Sequence, residues 1–238
     1  MLRRSLRILT YNVHSCSGLD RKTRPERIVA VIRRMRPHLV ALQEVNGAHS
    51  AAHLAKSLGM SCFFAPAREA EQGAFGNAIL GVLSGESVRV GRLPHLRKSL
   101  ETRSAQWVRF DTEWGPLDLF NTHLGLSREE RLLQIQDLLS ENWLANPNVS
   151  PLSVLCGDFN ALPGSAVYSQ LRARFLDAQS RLRLRRATFP ALMPVLRIDH
   201  VFFAPALAIE RVVVPGDWLA RTASDHRPLV VDVIPKED

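Results

Sequence analysis

Apolar residues recur along this chain in two patterns, one typical of short strands and one typical of amphipathic helices. Short apolar runs at Leu6–Tyr11, Leu39–Gln43 and Leu152–Leu155 predict buried strands. Further strands are predicted at Cys62–Phe64, Asn77–Val82, Ser87–Arg92, Ala105–Asp111, Leu117–Asn121, Arg197–Phe203, Ala208–Val214 and Leu229–Val233. Strands and helices alternate at first and the strands lie closer together later, which favours an α/β fold.

Four segments show helical patterns between these strands. Pro25–Met35 carries apolar residues three and four apart, and Pro25 suits a first helical turn. Ala48–Leu58 predicts a second helix that ends at Gly59. Ser127 and Glu130 have the spacing of a capping box, so a third helix should begin there. The remaining apolar positions predict a short helix near Ala166–Leu171.

Polar side chains that could bind ligands or transfer protons lie where several of these strands end. They are Asn12, Glu44, His123, Asp158 and Asn160, and His226 stands just before the last strand. Strand ends are where a rigid scaffold presents side chains to a crevice. We therefore expect these residues to meet in one site, and their recurrence at strand ends is more informative than any one of them.

Each of these residues also has an ordinary structural interpretation. Glu44 could be a surface loop residue, Asp158 and Asn160 could form an Asx turn, and His123 could be a satisfied structural histidine. As a set, oxygen ligands without cysteine favour Mg²⁺ or Mn²⁺ over zinc. Asp199 could orient His226 as a carboxylate orients a general base, and the neighbouring Asp225 could reach a metal.

Water attack on phosphorus needs a metal, a base for the water and a donor for the leaving oxygen. The residues above supply all three, so the pattern predicts a metal-dependent hydrolase of phosphate esters. The formal net charge of +8 favours anionic partners without choosing among nucleic acid, acidic membrane surfaces and phosphorylated small molecules.

Length and cysteine usage limit the other possibilities. A chain of 238 residues suits one domain spanning positions 1–238, and we expect a monomer. Three widely spaced cysteines make a disulfide framework or zinc site improbable and favour a reduced, cytoplasmic location. The apolar stretch after the basic Met1–Arg7 is too short for a signal peptide, and we expect no membrane span because no run approaches 18 apolar residues.

Six segments in order resemble the signature of the endonuclease/exonuclease/phosphatase superfamily, in particular its compact bacterial members. They are LTYNVH (Leu9–His14), LQEV (Leu42–Val45), NTHL (Asn121–Leu124), GDFN (Gly157–Asn160), RIDHV (Arg197–Val201) and SDHRP (Ser224–Pro228). Each segment alone is a weak signal, but the ordered set spans most of the chain and is highly specific.

The resemblance implies a deoxyribonuclease I-like, four-layer α/β sandwich of two facing, mostly antiparallel sheets flanked by helices. It also implies roles for the site residues. Glu44, Asn12 and Asp225 would hold the metal, Asp158 and Asn160 would hold the attacking water or the leaving oxygen, His123 would contact a phosphate oxygen, and His226, oriented by Asp199, would act as base or stabilise the pentacoordinate phosphate. Which residue is the base stays open.

The chain departs from the superfamily pattern after one strand, and at position 123 it matches one branch of the superfamily. Gly81 and Val82 replace the Ser-Arg that usually follows the strand at Asn77, so a substrate contact from that edge is in doubt. His123 matches the branches that resemble deoxyribonuclease I rather than the abasic-site enzymes, which carry tyrosine, and this disfavours abasic-site repair.

The sequence favours a phosphodiesterase and leaves its substrate open between nucleic acid and a lipid or small diester. An arginine cluster could follow a nucleic-acid backbone or could be a solvated surface: Arg172, Arg174, Arg181, Arg183, Arg185 and Arg186. The alternatives are a phosphomonoesterase of the inositol-phosphatase type and, in another class, a non-catalytic nucleic-acid-binding module. The presence of Glu44, Asp158 and His226 disfavours the module.

Overall fold

Twelve strands and five α-helices are found in the residues that the computed structural model describes, 5–70, 73–96, 101–180, 182–183 and 186–236. The strands are β1 (Leu6–Asn12), β2 (Leu39–Asn46), β3 (Ser61–Ala70), β4 (Gly73–Gly81), β5 (Gly85–Arg92), β6 (Ser104–Thr112), β7 (Gly115–His123), β8 (Leu152–Asp158), β9 (Leu176–Asp177), β10 (Asp199–Phe203), β11 (Leu207–Val213) and β12 (Leu229–Pro235). The helices are α1 (Pro25–Met35), α2 (Gly47–Leu58), α3 (Arg128–Leu138), α4 (Ala166–Arg172) and α5 (Trp218–Thr222). A 3₁₀ turn covers His14–Cys16.

The strands form two six-stranded sheets. The first has the order β11-β12-β1-β2-β4-β3, and the second has the order β5-β6-β7-β8-β10-β9. Among the described strands, each sheet contains a single parallel neighbour pair, β1 with β2 in the first and β7 with β8 in the second, and the other neighbour pairs are antiparallel. The expectation of two mostly antiparallel sheets is confirmed.

Three apolar clusters show how the layers pack. Ile8, Val108 and Val154 belong to the cluster between the two sheets. The opposite face of β1 packs on α1, where Leu9 and Ile32 share a cluster. The outer face of the second sheet packs on α3 and α4. Because both faces of the central strands are buried, these strands read as continuous apolar runs, and the predicted four-layer sandwich is confirmed.

The predicted elements agree with the structure where an apolar period was clear. Helix α1 begins and ends where the sequence predicts it, and Ser127 caps α3 by accepting a hydrogen bond from the Glu130 backbone N–H at 3.1 Å. Strand β3 extends to Ala70, beyond the predicted Cys62–Phe64, because pairing with β4 continues past the apolar run. No helix of the described residues has the length and apolar character needed to cross a membrane.

Short elements were not predicted from the sequence. Strand β9 has only two residues, too few for any period, and it forms because β10 offers an unpaired edge. Helix α5 has five residues; Asp217 caps it by accepting hydrogen bonds from the N–H groups of Leu219 and Ala220. Strand β10 begins at Asp199 rather than at the predicted Arg197.

Candidate functional site

The two parallel strand pairs bring the predicted residues together. Asn12 lies beside Gln43 at the end of β1 and β2, and His123 lies beside Asp158 at the end of β7 and β8. The Asn12 amide connects the two sheets at this edge, since its Nδ2 donates to Glu44 Oε1 at 2.9 Å and to Asp158 Oδ2 at 3.0 Å. The carboxylates of two different sheets are therefore held by one amide.

The orientation of the Asn12 amide follows from its other contact. Its side-chain oxygen accepts a hydrogen bond from the His14 backbone N–H at 3.1 Å, so the nitrogen faces the carboxylates. Asn12 is 1% exposed, and both ends of its amide have partners. In this arrangement Asn12 positions Glu44 and Asp158 directly.

A β-bulge turns Glu44 toward the cleft. The register of β2 on β4 shifts between Leu42 and Val45, and the Glu44 φ of 57° lies in the left-handed region. Bulges commonly redirect a side chain next to an active site. Glu44 keeps 24% of its side chain exposed although Gln43 and Val45 on either side are buried. The side chain can thus meet a ligand from solvent.

Asp158 and Asn160 lie in one turn after β8. The Asp158 Oδ1 accepts from the Asn160 backbone N–H at 2.9 Å, which is the Asx-type contact that the sequence allowed. The Asn160 side chain donates to the Leu124 carbonyl at 2.9 Å and lies 3.2 Å from His123 Nε2. The Asx turn and the site are therefore the same structure, and the two interpretations of these residues do not exclude each other.

His226 has the carboxylate partner that was predicted for it. Its Nδ1 lies 2.8 Å from Asp199 Oδ2, and Thr188 donates to the same oxygen at 2.5 Å. The Nε2 of His226 lies 3.6 Å from Asp158 Oδ2, and the Phe189 ring packs against the imidazole with 4.7 Å between centroids. Asp199 thus holds one side of the ring and leaves the other side toward Asp158.

The surroundings of Asp158 and His226 raise the pKa values of both residues. Burial and the charge of Asp199 raise the pKa of Asp158 to about 7. Burial lowers the pKa of His226, but the charge and hydrogen bond of Asp199 together with Asp158 outweigh burial and raise that pKa to about 10. At neutral pH the site therefore contains an imidazolium beside a carboxyl group that can take up a proton.

His123 has the opposite electrostatic setting. The buried Arg103 places Nη1 3.0 Å from His123 Nδ1, and burial together with the Arg103 charge holds the pKa of His123 well below 6.5. The guanidinium can only donate, so this contact suits a ring whose Nδ1 accepts, whereas the Asn160 Nδ2 at 3.2 Å from Nε2 is also a donor and suits the other tautomer. The Nε2 of His123 lies 3.5 Å from Asp158 Oδ2, on the side of the site.

Asp225 lies at the mouth of the site rather than at its centre. Its side chain is 36% exposed, its Oδ1 accepts from the Ser224 hydroxyl at 3.3 Å, and the same oxygen is 3.7 Å from His14 Nδ1. Asp225 lines the same cleft as Glu44, so the two carboxylates share one solvent space.

Six of the eight predicted residues line a cleft of about 650 Å³ together with side chains that the sequence motifs did not indicate, and Asn12 and Asp199 lie behind them without lining it. The motif residues on its wall are Glu44, His123, Asp158, Asn160, Asp225 and His226. The additional residues are Glu101, Arg103, Leu126, Arg131, Leu162, Ser165, Phe189 and Leu196, and Ile198 of the RIDHV segment also lines the cleft. The additional residues come from separate loops and elements, and no local pattern in the sequence distinguished them.

The donor set suits a hard divalent cation. Glu44 and Asp158 accept hydrogen bonds from the same nitrogen, and negative charge is concentrated here with only oxygen and imidazole groups available. Ligand atoms of Asp158, Asp199 and His226 also lie within 4.8 Å of one another. However, the 2.8 Å contact between Asp199 and His226 is already a hydrogen bond, and Glu44, with 24% of its side chain exposed, is more accessible than the buried Asp158 and Asp199.

Comparison with known proteins identifies relatives of the whole chain. The model of the Endonuclease/Exonuclease/phosphatase family matches residues 9–226. No curated protein sequence gives a significant match.

Solved structures with the same fold cover nearly all of the chain. An endonuclease/exonuclease/phosphatase family protein from Bacteroides thetaiotaomicron is 18% identical, with 100% of both chains covered and a TM-score of 0.81. The mannosyl-6-phosphatase Bt3783 of the same organism is 19% identical, covering 97% of this chain and 100% of its own, with a TM-score of 0.79. The D. rerio TDP2, complexed with a single-strand DNA product, is 16% identical, with 97% and 99% covered and a TM-score of 0.72.

Proposed function

This chain belongs to the endonuclease/exonuclease/phosphatase family, and we propose that it is a divalent-metal-dependent phosphodiesterase that uses Mg²⁺ or Mn²⁺. The activities in the family name are all hydrolyses of phosphate esters. The observation that carries the proposal is the chain of contacts Asp199–His226–Asp158 beside the accessible carboxylate of Glu44.

Glu44 would hold the metal, Asn12 would keep the carboxylates of Glu44 and Asp158 in place, and Asp225 offers a further oxygen at the cleft mouth. A bound divalent cation supplies positive charge that offsets the negative charge developing on the phosphoryl oxygens.

The protein groups divide the proton chemistry between them. Asp158, whose pKa is raised to about 7, is suited to accept a proton from the attacking water. His226, with a pKa of about 10, enters the reaction as imidazolium and stabilises charge on the phosphorane or protonates the leaving oxygen. The neutral His123 would donate from Nε2 to a phosphate oxygen in the tautomer in which its Nδ1 accepts from Arg103. This division favours Asp158 over His226 as the base.

The walls of the cleft favour a diester. Leu126 and Leu162 come from the segments after β7 and β8, whereas Phe189 and Leu196 come from the segment before β10. A diester carries an organic group on each side of phosphorus, and apolar wall residues from separate segments can contact both groups. The described members of the arginine cluster, Arg172, Arg174, Arg183 and Arg186, do not line this cleft, which weakens the case for a nucleic-acid backbone.

A phosphomonoesterase is the second candidate. Two guanidinium groups, Arg103 and Arg131, line the cleft and would favour a dianionic monoester. The solved mannosyl-6-phosphatase shares the fold and is named for a phosphomonoester. Comparing turnover of p-nitrophenyl phosphate with that of bis-p-nitrophenyl phosphate separates the two candidates.

The test is metal-dependent release of p-nitrophenol from the diester. Chelation should abolish turnover and added Mg²⁺ or Mn²⁺ should restore it. Glu44→Gln should raise the metal concentration needed for half-maximal rate, and His226→Asn should lower kcat by about 10²–10⁴-fold. The exposed Glu26→Gln and His53→Asn serve as matched controls that should leave turnover unchanged. Near-full turnover of both site variants would show that the assignment is wrong.

A further inference from the structure

Exposed apolar side chains concentrate around the mouth of the cleft. Thirteen large apolar side chains are exposed in the described part of the chain, and six of them belong to the cleft walls or to the loop that forms one wall. We call these six the apolar rim: Leu126, Leu162, Leu192, Met193, Val195 and Leu196. Met193 and Val195 are 74% and 73% exposed. Scattered exposed leucines are ordinary, but a cluster at a binding site indicates a surface that something covers.

The loop that carries four of these residues is held in place by backbone hydrogen bonds. Its ends meet where the Val195 and Leu196 N–H groups donate to the Phe189 carbonyl at 2.9 and 2.8 Å. The Ala191 N–H donates to the Asp225 carbonyl at 2.6 Å, and Arg227 Nε donates to the Ala191 carbonyl at 2.6 Å. Since Ala191 is fully buried, the loop has an inner anchor, and the exposure of its neighbours follows from a fixed backbone.

The rim is physically continuous with the catalytic groups. Phe189, at the base of the loop, packs on the His226 ring, and Leu196 lines the cleft. Leu126 and Leu162 line the same cleft, and Leu126 is 72% exposed. Whatever covers the rim therefore contacts the opening through which a phosphate ester must enter.

Two properties of the rim identify what it can bind. All six side chains are aliphatic, whereas single-stranded nucleic acid is held by aromatic side chains that stack on the bases. The protein carries a net charge of +8, and arginines lie beside the rim: Arg131 lines the cleft with Leu126 and Leu162, and the exposed Arg128 lines an adjoining hollow with Arg131. Aliphatic side chains beside positive charge suit an anionic lipid surface, where apolar groups insert and arginines meet the headgroups.

We propose that the apolar rim docks this protein on anionic phospholipid surfaces, and that the ester it cleaves is the phosphate of a lipid headgroup. The second part rests on the proposed function, but the docking does not. In the docked state Met193 and Val195 enter the interface, and the cleft mouth faces the headgroups.

Vesicle co-sedimentation tests the docking. The wild type should bind vesicles of phosphatidylcholine mixed with phosphatidylglycerol more strongly than vesicles of phosphatidylcholine alone, and added salt should weaken the binding. A Met193→Ser/Val195→Ser double variant should bind the mixed vesicles at least about tenfold more weakly, because two apolar side chains no longer insert. Val82→Ser/Val88→Ser, which alters exposed valines that do not line the cleft, is the matched control and should bind like the wild type.

Turnover separates a failure of docking from a failure of the proposed function. All three proteins should hydrolyse the soluble bis-p-nitrophenyl phosphate equally, and only the loop variant should lose most of its turnover of phospholipid in vesicles. No vesicle binding by the wild type, or equal binding by the loop variant, would overturn the docking even if soluble turnover is intact. Rim-dependent binding without hydrolysis of any vesicle phospholipid would overturn the lipid substrate. A dimer that the loop variant disrupts, with no vesicle binding, would assign the rim to a second copy of this chain instead.

Discussion

The two histidines at the centre of the site have neighbours that set their protonation. Asp199 outweighs burial and stabilises the imidazolium of His226, whereas burial together with the charge of Arg103 keeps His123 neutral. The two histidines lie at 3.5 and 3.6 Å from the same oxygen of Asp158, yet their pKa values shift in opposite directions. Titratable neighbours with separated pKa values are a common basis for dividing acid and base roles. At the scale of residues, the neighbour that sets the protonation of a reacting group is therefore as important as the reacting group itself.

Replacing Arg103 by methionine should raise the pKa of His123, because the guanidinium charge is one of the causes that lower it. Burial remains, so the pKa should stay below its ordinary value of about 6.5. An NMR titration of the His123 ring measures the shift. Loss of the contact to Nδ1 also frees the ring to rotate, and we expect kcat to fall by about ten- to a hundredfold. Arg92→Met, at an exposed position, is the control, and an unchanged His123 titration would contradict the positioning role of Arg103.

At the scale of elements, the site depends on how closely β7 and β8 approach each other. Gly157 has a φ of 142°, and a Cβ built on it would lie 1.9 Å from the Thr122 carbonyl oxygen of β7. Only glycine fits there. The next residue is Asp158, which lies beside His123 in the parallel register, so the close approach sets the distance between two site residues.

Gly157→Ala should therefore damage both stability and activity. The added methyl group must push β7 and β8 apart in addition to straining the backbone, and we expect a loss of about 2–4 kcal/mol in the free energy of unfolding. Urea denaturation measures it. Gly164→Ala is the control, since Gly164 has a φ of 89° but no atom within 4 Å of its built Cβ. That variant should lose only about 1 kcal/mol. Equal losses in the two variants would show that the strand contact is unimportant.

At the scale of the whole molecule, the second sheet has a polar group in its outer core that links stability to pH. His200 of β10 is buried among Phe159, Tyr168 and Phe202, its Nε2 lies 2.8 Å from the Ala161 carbonyl, and its Nδ1 has no hydrogen-bond partner within the described residues. Burial and the charge of Arg197 lower the pKa of His200 to about 4. The ring is therefore neutral in the folded protein.

Acid should destabilise the fold through His200. In the unfolded chain His200 takes up a proton near pH 6.5, whereas in the folded protein it does so only near pH 4. The contribution of His200 to the free energy of unfolding is therefore present above pH 6.5 and is lost as the pH falls. His200→Gln, which can still donate to the Ala161 carbonyl, should lack this dependence. We expect the stability difference between wild type and variant to change by about 3 kcal/mol between pH 6.5 and 4, measured by urea denaturation at each pH. Parallel pH profiles would contradict the neutral buried ring.

The sequence by itself determined the elements with a clear period and the residues at their ends. The buried strands and α1 are visible in the apolar pattern because the pattern records which faces are buried. The order of the six motifs was sufficient to recognise the family, and the eight predicted residues do converge on one edge of the sandwich.

Only the tertiary structure decided which groups are partners. The contacts from Asn12 to Asp158, from Arg103 to His123 and from Thr188 to Asp199 join residues of different strands and loops, and no local rule relates their positions. The direction of each pKa shift depends on these contacts and on burial, so it could not be predicted from the sequence either. The apolar rim was also invisible, because Met193 and Val195 look like core residues in the sequence. Exposure is a property of the folded backbone, which holds that loop at the surface.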